Sequence, residues 1–226
     1  GSTSPAETFQ FSALTCVGVE DAGDGVTTAN APIPTIGDIT YAEGEAGSGT
    51  ATKSVDITLP EYNSVGVYTY SFTETDGGTA GVTYRADAMR LVVTVVQEAN
   101  GRVRVAAIHT ENEEGEKSDD FENIYSAGSL AVKKTVAGNL GDQEKEFHAT
   151  VTFTAPEGDT VRGTISYIDG AESKTILPTA WADGTATAEI TLTHDETVTF
   201  TNIPYGVSYT VVESEANEDG YTTTYE

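Results

Sequence analysis

One alternating pattern occurs twice in this chain, and each copy ends in a glutamate. The copies are residues 66–74 (GVYTYSFTE) and residues 206–213 (GVSYTVVE). Alternate side chains of a strand share a face, so each glutamate lies in phase with three apolar residues. These are Tyr68, Tyr70 and Phe72 before Glu74, and Val207, Tyr209 and Val211 before Glu213. Because an ionised carboxylate is costly in an apolar interior, each acid needs a partner or a chemical role.

A second pair of similar segments extends the repeat. Residues 9–13 (FQFSA) resemble residues 147–151 (FHATV), and their separation is within two residues of that between the two glutamate strands. This repetition indicates that the chain contains two copies of one domain. Small residues after Tyr125 mark the boundary between the copies. The sequence therefore predicts domains at residues 1–127 and 128–226.

Short alternating runs recur along both halves, where a helical protein would show longer runs with a period of 3.6 residues. They include residues 55–59, 91–95, 186–192 and 198–200. Gly, Thr and Val are plentiful and Leu is scarce, which also favours strands. The dipeptide Asn100-Gly101 separates two such runs and predicts a hairpin with a type I′ turn. The chain is therefore predicted to be all-β, with two tandem Ig-like sandwiches.

Charge and residue usage exclude several classes of function. The formal net charge of −25 opposes binding to nucleic acids and to anionic membrane surfaces. No apolar run approaches the roughly 20 residues that span a bilayer. Cys16 is the single cysteine, and the scattered histidines lack the spacing of metal ligands. We predict no internal disulfide, no nucleic-acid partner, no membrane insertion, no metal and no cofactor.

Lys134 and Asn123 indicate what the buried glutamates do. Lys134 shares a strand face with Leu130 and Val132, and burial favours the neutral amine, which is a nucleophile. Asn123 shares a face with Phe121 and is expected to point inward. In an amide exchange between such groups, the amine attacks the Asn carbonyl, the acid shuttles protons and ammonia leaves. The product is a Lys–Asn isopeptide cross-link.

Four strings resemble the streptococcal FctA-type backbone pilins and their isopeptide domains, which are related to collagen-adhesin B-type (CnaB) domains. The strings are GVYTYSFTE, FEN, LAVKKTV and VTFTNIPYGVSYTVVE. The resemblance covers most of the chain and implies CnaB-type sandwiches in an extracellular protein of a Gram-positive cell wall or pilus. It also implies that each domain joins its first strand to its last through an autocatalytic Lys–Asn bond, with the buried glutamate as catalyst.

Transferred to this chain, the resemblance implies two cross-linking residues in each domain, one catalytic acid and one partner in the bond. Glu74 and Asn123 are the expected catalytic acid and amide partner of the first domain, and Lys134 and Glu213 the expected amine and catalytic acid of the second. The same spacings place a lysine before residue 1 and an asparagine after residue 226. We therefore expect the first domain to lack its lysine strand and the second its asparagine strand. Either the chain is truncated, or an open sheet edge captures the strand in trans.

Two further lysines have alternative interpretations. Lys53 is in phase with Val55 and Ile57, so it could replace the missing lysine as the amine of the first domain. The alternative is that Lys53 is simply a residue at the end of a strand. Lys117 lies close to where the pilins resembled here carry the lysine that sortase uses to join subunits. The alternative for Lys117 is a solvated loop lysine.

The function predicted from these features is structural. We expect a shaft or stalk segment of a pilus or cell-wall adhesin, in which each cross-link forms once and no external substrate is turned over. Its expected partners are neighbouring pilin or adhesin subunits, or a complementing strand. Recognition of a host surface ligand is the alternative function. The sequence offers no conspicuous aromatic cluster for it, since Trp181 stands alone.

Overall fold

The structure is a computed structural model that describes residues 3–47 and 49–226. It is all-β and forms two tandem Ig-like sandwiches, as the sequence predicts. Within the described ranges, no helix has the length and apolar character of a bilayer span. A short 3-10 helix covers Pro178–Ala180. The strands are β1 Glu7–Phe11, β2 Thr15–Glu20, β3 Thr35–Ile36, β4 Ile39–Tyr41, β5 Ile57–Thr58, β6 Gly66–Phe72, β7 Glu74–Thr75, β8 Val82–Thr83, β9 Met89–Gln97, β10 Val103–Glu111, β11 Ile124–Tyr125, β12 Ala127–Lys133, β13 Phe147–Thr154, β14 Ile165–Asp169, β15 Glu172–Ile176, β16 Thr185–Leu192, β17 Thr197–Pro204 and β18 Ser208–Glu213.

The first glutamate strand lies inside the larger sheet of its domain, which has the order β10-β9-β6-β2. Its inward side chains Tyr68, Tyr70 and Phe72 are at most 2% exposed. They pack in one cluster with Leu91 and Val93 of β9. Burial of each such side chain contributes about 1.5–3 kcal/mol to folding. The alternation in the sequence therefore becomes the core of the first domain.

The chain leaves β6 through Thr73 and continues into β7, which begins with Glu74. Strand β7 pairs with β1 in a three-stranded sheet of order β4-β1-β7. The backbone N–H of Ser12 donates to the carbonyl of Thr73 at 2.9 Å and links this ladder to the β2–β6 ladder. Glu74 thus keeps the inward phase of β6 and is 7% exposed.

The opposite layer of the first domain consists of short strands and loops. Strands β3 and β5 form one two-stranded sheet, and β8 and β11 form another. Ile36, Ile57 and Phe121 from this layer pack against the core. The hydroxyl of Tyr70 crosses the core and donates to the carbonyl of Pro32 at 2.6 Å, which satisfies a deeply buried polar group.

The second domain packs a four-stranded sheet of order β12-β17-β14-β15 with a three-stranded sheet of order β16-β13-β18. Its core residues Val151, Phe153, Ile165, Ile190 and Phe200 are at most 1% exposed. Because residues from both sheets meet in one cluster, the sandwich has a single core.

The strand registers repeat between the domains. Phe11 lies opposite Glu74 in the first domain, and Ala149 lies opposite Glu213 in the second. These pairs occupy matching places in the two sequence copies. The repeat seen in the sequence therefore places each glutamate against the same strand of its own domain.

Two local details differ from the sequence interpretation. Tyr209 is in phase with Glu213, yet it is 52% exposed, because β18 is an edge strand and its start extends beyond the covered core. At the β9–β10 hairpin, Gly101 has a φ of 84° while Asn100 does not have a positive φ. The N–H of Gly101 donates to the carbonyl of Glu98, so the turn is not type I′ but an ordinary turn closed by a left-handed glycine.

Two candidate reaction sites

Glu74 and Asn123 meet at the first site. The Asn123 Nδ2 donates to Glu74 Oε1 at 2.8 Å, although the residues are 49 positions apart. Asn123 lies directly before β11, and β11 pairs with β8 through Ile124 opposite Thr83. The short β8–β11 ladder therefore presents the Asn123 carboxamide to the glutamate at the end of the core strand.

The backbone of Arg85 joins the two side chains. Its N–H donates to Glu74 Oε2 at 2.8 Å and contacts Asn123 Oδ1 at 3.3 Å. Its guanidinium donates to the carbonyl of Asp120 at 2.7 Å and lies 5.3 Å from the ring centre of Phe121. Arg85 thus holds the segment leading to Asn123 as well as the Glu74 and Asn123 side chains. Sequence reasoning missed Arg85, because a backbone donor leaves no residue-type signal.

Burial changes the acidity of Glu74. Desolvation raises the pKa of its carboxyl, while the hydrogen bonds from Arg85 and Asn123 act in the opposite direction. The net result is a carboxyl that retains its proton at higher pH than an exposed glutamate. In its protonated form such a group can polarise the Asn123 carboxamide, and in its ionised form it can take up a proton from an incoming amine.

A cavity of about 350 Å³ adjoins Glu74. Its walls come from Asp76 and residues 82–86 as well as from Glu74 itself. The cavity gives another side chain access to the carboxyl group.

Lys134 and Glu213 meet at the second site. The Lys134 Nζ lies 2.5 Å from Glu213 Oε2, and the two side chains are 16% and 9% exposed. The same nitrogen lies 3.8 Å from the ring centre of Phe147. The carboxylate and the aromatic face both attract the ammonium group. A lysine is therefore aligned with the acid that would accept its proton.

The C-terminal segment supplies two further contacts that the sequence did not indicate. The Thr223 hydroxyl donates to Glu213 Oε1 at 2.9 Å. The backbone N–H of Glu213 donates to the Tyr225 hydroxyl at 3.2 Å. Both groups come from a segment without regular secondary structure, which has no periodicity from which to infer its direction.

The structure thus brings together two pairs of predicted site residues and assembles no Lys–Glu–Asn triad among the described residues. The side-chain partners of Glu213 are Lys134 and Thr223. Lys53 does not serve the first site: its Nζ pairs with Glu45 at 2.7 Å and donates to the carbonyl of Thr40. Lys117 is exposed in the hairpin that follows β10, where its backbone forms an isolated antiparallel β-bridge with Glu111.

The remaining reactive residue types form no other site in the described part of the chain. No group of His, Cys, Asp and Glu there has the arrangement of a metal site. Cys16 is buried, and its burial raises the pKa of the thiol. A raised thiol pKa disfavours the nucleophilic thiolate, in agreement with a structural role for Cys16.

Comparison with known families and sequences gives a consistent result. The family FctA, described as a Spy0128-like isopeptide containing domain, matches residues 2–126. A domain of unknown function, DUF7601, matches residues 128–226. A pilin of Streptococcus pyogenes serotype M1 is 28% identical over 201 residues, which are 83% of this chain and 56% of the pilin. The chain therefore spans little more than half the length of this curated relative.

Solved structures of major pilins share the fold. The major pilin T3.2 of S. pyogenes serotype GAS13637 has a TM-score of 0.60 and 23% identity, with 97% of this chain and 79% of that chain covered. A major pilin from S. pyogenes has a TM-score of 0.60 and 24% identity, with coverages of 94% and 76%. At these identities the similarity concerns the fold alone.

Proposed function

Because the chain belongs to the FctA family of Spy0128-like isopeptide-containing domains, we propose that it is a shaft segment of a Gram-positive pilus or cell-wall stalk whose domains are reinforced by Lys–Asn isopeptide bonds. The observation that carries this proposal is the pairing within each domain. Glu74 holds the amide partner Asn123, and Glu213 holds the amine Lys134. Family membership and the named pilin relative support the structural role and an extracellular location.

The second site supports the first half of the reaction. The Lys134 ammonium gives a proton to Glu213, and the neutral amine becomes the nucleophile. The amine attacks the carbonyl carbon of an asparagine on a neighbouring strand. The glutamic acid gives its proton to the carboxamide nitrogen, and the C–N bond breaks to release ammonia. The attacking nitrogen passes its own surplus proton to the carboxylate, which leaves Glu213 protonated. The products are one secondary amide and one ammonia, so atoms and charges balance.

The first site supports the second half of the reaction. Glu74 in its acid form and the Arg85 N–H lie close to the Asn123 carboxamide, where a tetrahedral intermediate would develop negative charge on Oδ1. The cavity beside Glu74 is the route for a lysine side chain. The reaction occurs once per site, so the protein is not an enzyme acting on an external substrate.

The repeat provides the reagents that test this chemistry. A peptide of residues 128–137 (GSLAVKKTVA) presents the lysine strand to the first site, and a peptide of residues 118–127 (SDDFENIYSA) presents the asparagine strand to the second. We expect intact-mass spectra to show adducts that weigh one ammonia less than the sum of their components. Fragmentation should locate the bonds at Asn123 and Lys134. Absence of both adducts at high peptide concentration would contradict the proposal.

Matched variants separate chemistry from binding. N123A should abolish the first adduct while the second still forms, and K134M should have the opposite effect. E74Q and E213Q should stop the reactions without preventing peptide binding, because glutamine keeps the shape of the side chain but cannot shuttle the proton. Equal reaction of E74Q and the unmodified chain would contradict the assignment of the acid.

Capture of a strand in trans is a second candidate function, favoured by the edge of the second domain. Strand β12 ends the sheet order, so its outer edge has no partner strand in the described chain. Leu130 and Val132 of β12 pack partly against the core. An added strand would complete the sheet and bring its asparagine toward Lys134. In the peptide experiment, the rate at which the free peptide of residues 118–127 reacts with the second site measures this capture.

Lys117 is the candidate acceptor for covalent joining of subunits. It is exposed in a hairpin loop closed by hydrogen bonds between Asn112 and Glu116. An exposed amine on an ordered loop is accessible to a transpeptidase. In cells that assemble the pilus, K117R should remove the ladder of covalent polymers. An unchanged ladder would assign the joining reaction to another residue.

A further inference from the structure

The two domains meet through a hydrogen-bonded surface that we call the joint. It consists of Glu7 and residues 77–81 of the first domain and residues 160–164 of the second. The Thr160 N–H donates to the Gly78 carbonyl at 2.7 Å, and its own carbonyl accepts the Ala80 N–H at 2.9 Å. The pair Thr79 and Thr160 thereby forms a short parallel bridge. This is strand-like pairing between domains and differs from a loose surface contact.

An ion pair lies inside the joint. The Glu7 side chain is 3% exposed, and its Oε1 accepts Arg162 Nη1 at 2.8 Å. The Glu7 Oε2 accepts the Tyr84 hydroxyl at 2.9 Å, and the Thr8 N–H donates to Oε1. The carboxylate is therefore fully supplied with donors, one of them from the other domain. The Arg162 side chain is 38% exposed, so the buried member of the pair is Glu7. Removal of Arg162 would leave the buried Glu7 carboxylate without its ionic partner, which is destabilising.

The backbone around the ion pair leaves little space for movement. Gly81 has a φ of 81°, and a Cβ at this position would lie 2.6 Å from the carbonyl oxygen of Ser126. The Ser126 N–H donates to the Gly81 carbonyl, and the Ser126 carbonyl accepts the Tyr205 N–H at 2.9 Å. Ser126, the single residue between β11 and β12, is thus bonded to both domains.

Two consecutive residues connect the joint with the first reaction site. The Tyr84 hydroxyl is bonded to Glu7 in the joint, and the N–H of the next residue, Arg85, is bonded to Glu74 and Asn123. Residues 82–86 are also the wall of the cavity beside Glu74. A shift of Tyr84 therefore moves the Arg85 N–H, the donor that aligns Glu74 with the Asn123 carboxamide.

We propose that Arg162 of the second domain is a positioning residue for the Glu74–Asn123 site, acting through Glu7 and Tyr84 to fix the Arg85 N–H. The second domain is then a structural requirement for the geometry of the first site. The role in cross-linking rests on the proposed function, whereas the mechanical link from Arg162 to Arg85 does not.

The test compares R162M with the unmodified chain by NMR. Methionine retains much of the length of arginine and loses the charge and the donors. We expect amide exchange of Arg85 to accelerate about tenfold, the change that corresponds to loss of one hydrogen bond. The Glu74 pKa should rise further, because the Arg85 hydrogen bond that lowers it is weakened. A change in global stability alone would not alter this local titration.

Two other variants complete the experiment. R104M removes an exposed arginine that pairs with Glu98 at 3.3 Å, and it should leave Arg85 exchange and the Glu74 pKa unchanged. R162K keeps the charge without the forked donor and should give intermediate values of Arg85 exchange and of the Glu74 pKa. It also replaces R162M in the test if R162M does not fold. Unchanged Arg85 exchange and Glu74 titration in both Arg162 variants would overturn the proposal. Because no cross-link is measured, failure of the peptide reactions would count against the proposed function and not against this link.

Discussion

The amine of Lys134 lies between two attractive groups, with the carboxylate of Glu213 at 2.5 Å and the ring centre of Phe147 at 3.8 Å. Phe147 opens β13, the strand that also pairs with the glutamate strand β18. The same aromatic residue therefore contributes to the core and fixes the position of the lysine. Both neighbours attract the ammonium group, and the carboxylate is the one that lies within hydrogen-bonding distance of the amine.

The contact between Lys134 and Phe147 should be measurable as a coupling energy. A double-mutant cycle with F147L and K134M should give a coupling of about 0.5–2 kcal/mol in the free energy of unfolding. Chemical denaturation of the four proteins provides the values. The cycle cancels the cost of leaving Glu213 without its amine, so additive effects would show that the ring does not hold the lysine.

Glu74 should make folding stability depend on pH. Burial raises its pKa above the ordinary value of 4.5, so the folded state binds the proton more tightly than the unfolded state. This contribution is present below pH 4.5 and is lost as the pH rises through the folded-state pKa. The stability of the unmodified chain minus that of E74Q should therefore fall over this window and then become constant.

Denaturation series at several pH values test this sign. E98Q, which changes a carboxyl in the β9–β10 hairpin of the same domain, serves as the control for charge removal. A difference between the unmodified chain and E74Q that does not vary with pH would mean that Glu74 titrates alike in the folded and unfolded states.

Loss of the Arg85 side chain should raise the pKa of Glu74. The guanidinium charge favours the ionised carboxylate, and R85A removes that charge while the backbone N–H remains. Titration of the Glu74 carboxyl carbon by NMR measures the shift. R90A, on β9 of the same domain, is the control. Equal titration of Glu74 in R85A and R90A would contradict a specific effect of Arg85.

Close packing at the joint predicts a difference between two glycine variants. Gly81 and Gly101 have φ angles of 81° and 84°, but only at Gly81 does a Cβ meet neighbouring atoms. G101A should cost about 1 kcal/mol for the left-handed backbone alone. G81A should cost clearly more, because its Cβ also displaces the carbonyl of Ser126. Thermal unfolding of both variants compares the costs, and equal losses would argue against tight packing at the joint.

Much of this architecture is predictable from local patterns. Strict alternation before Glu74 specifies its face, and the repeat extends the inference to Glu213; their buried positions follow from strand periodicity. The same rule predicts that Lys134 and Asn123 point inward. The chemistry and the family resemblance predict that they pair with the glutamates, and the hydrogen bonds give the geometry of that pairing.

Other features depend on contacts that no local pattern encodes. Arg162 and Glu7 are 155 positions apart, and their contact depends on how the two domains pack together. The Arg85 donor belongs to the backbone, so its residue type carries no information. Tyr209 follows the alternation but lies on an edge strand, where periodicity specifies a face without specifying what covers it. At Asn100-Gly101 the dipeptide predicts a tight hairpin but does not decide between turn types.

The single-residue connection at Ser126 has a consequence for any assembly of such units. A linker of several residues would let successive domains swivel, whereas Ser126 is hydrogen-bonded to Gly81 on one side and Tyr205 on the other. The rotation of one domain relative to the other is therefore fixed. Within one unit the two domains would therefore turn as one body under load, and the connection between them would resist torsion as well as stretching.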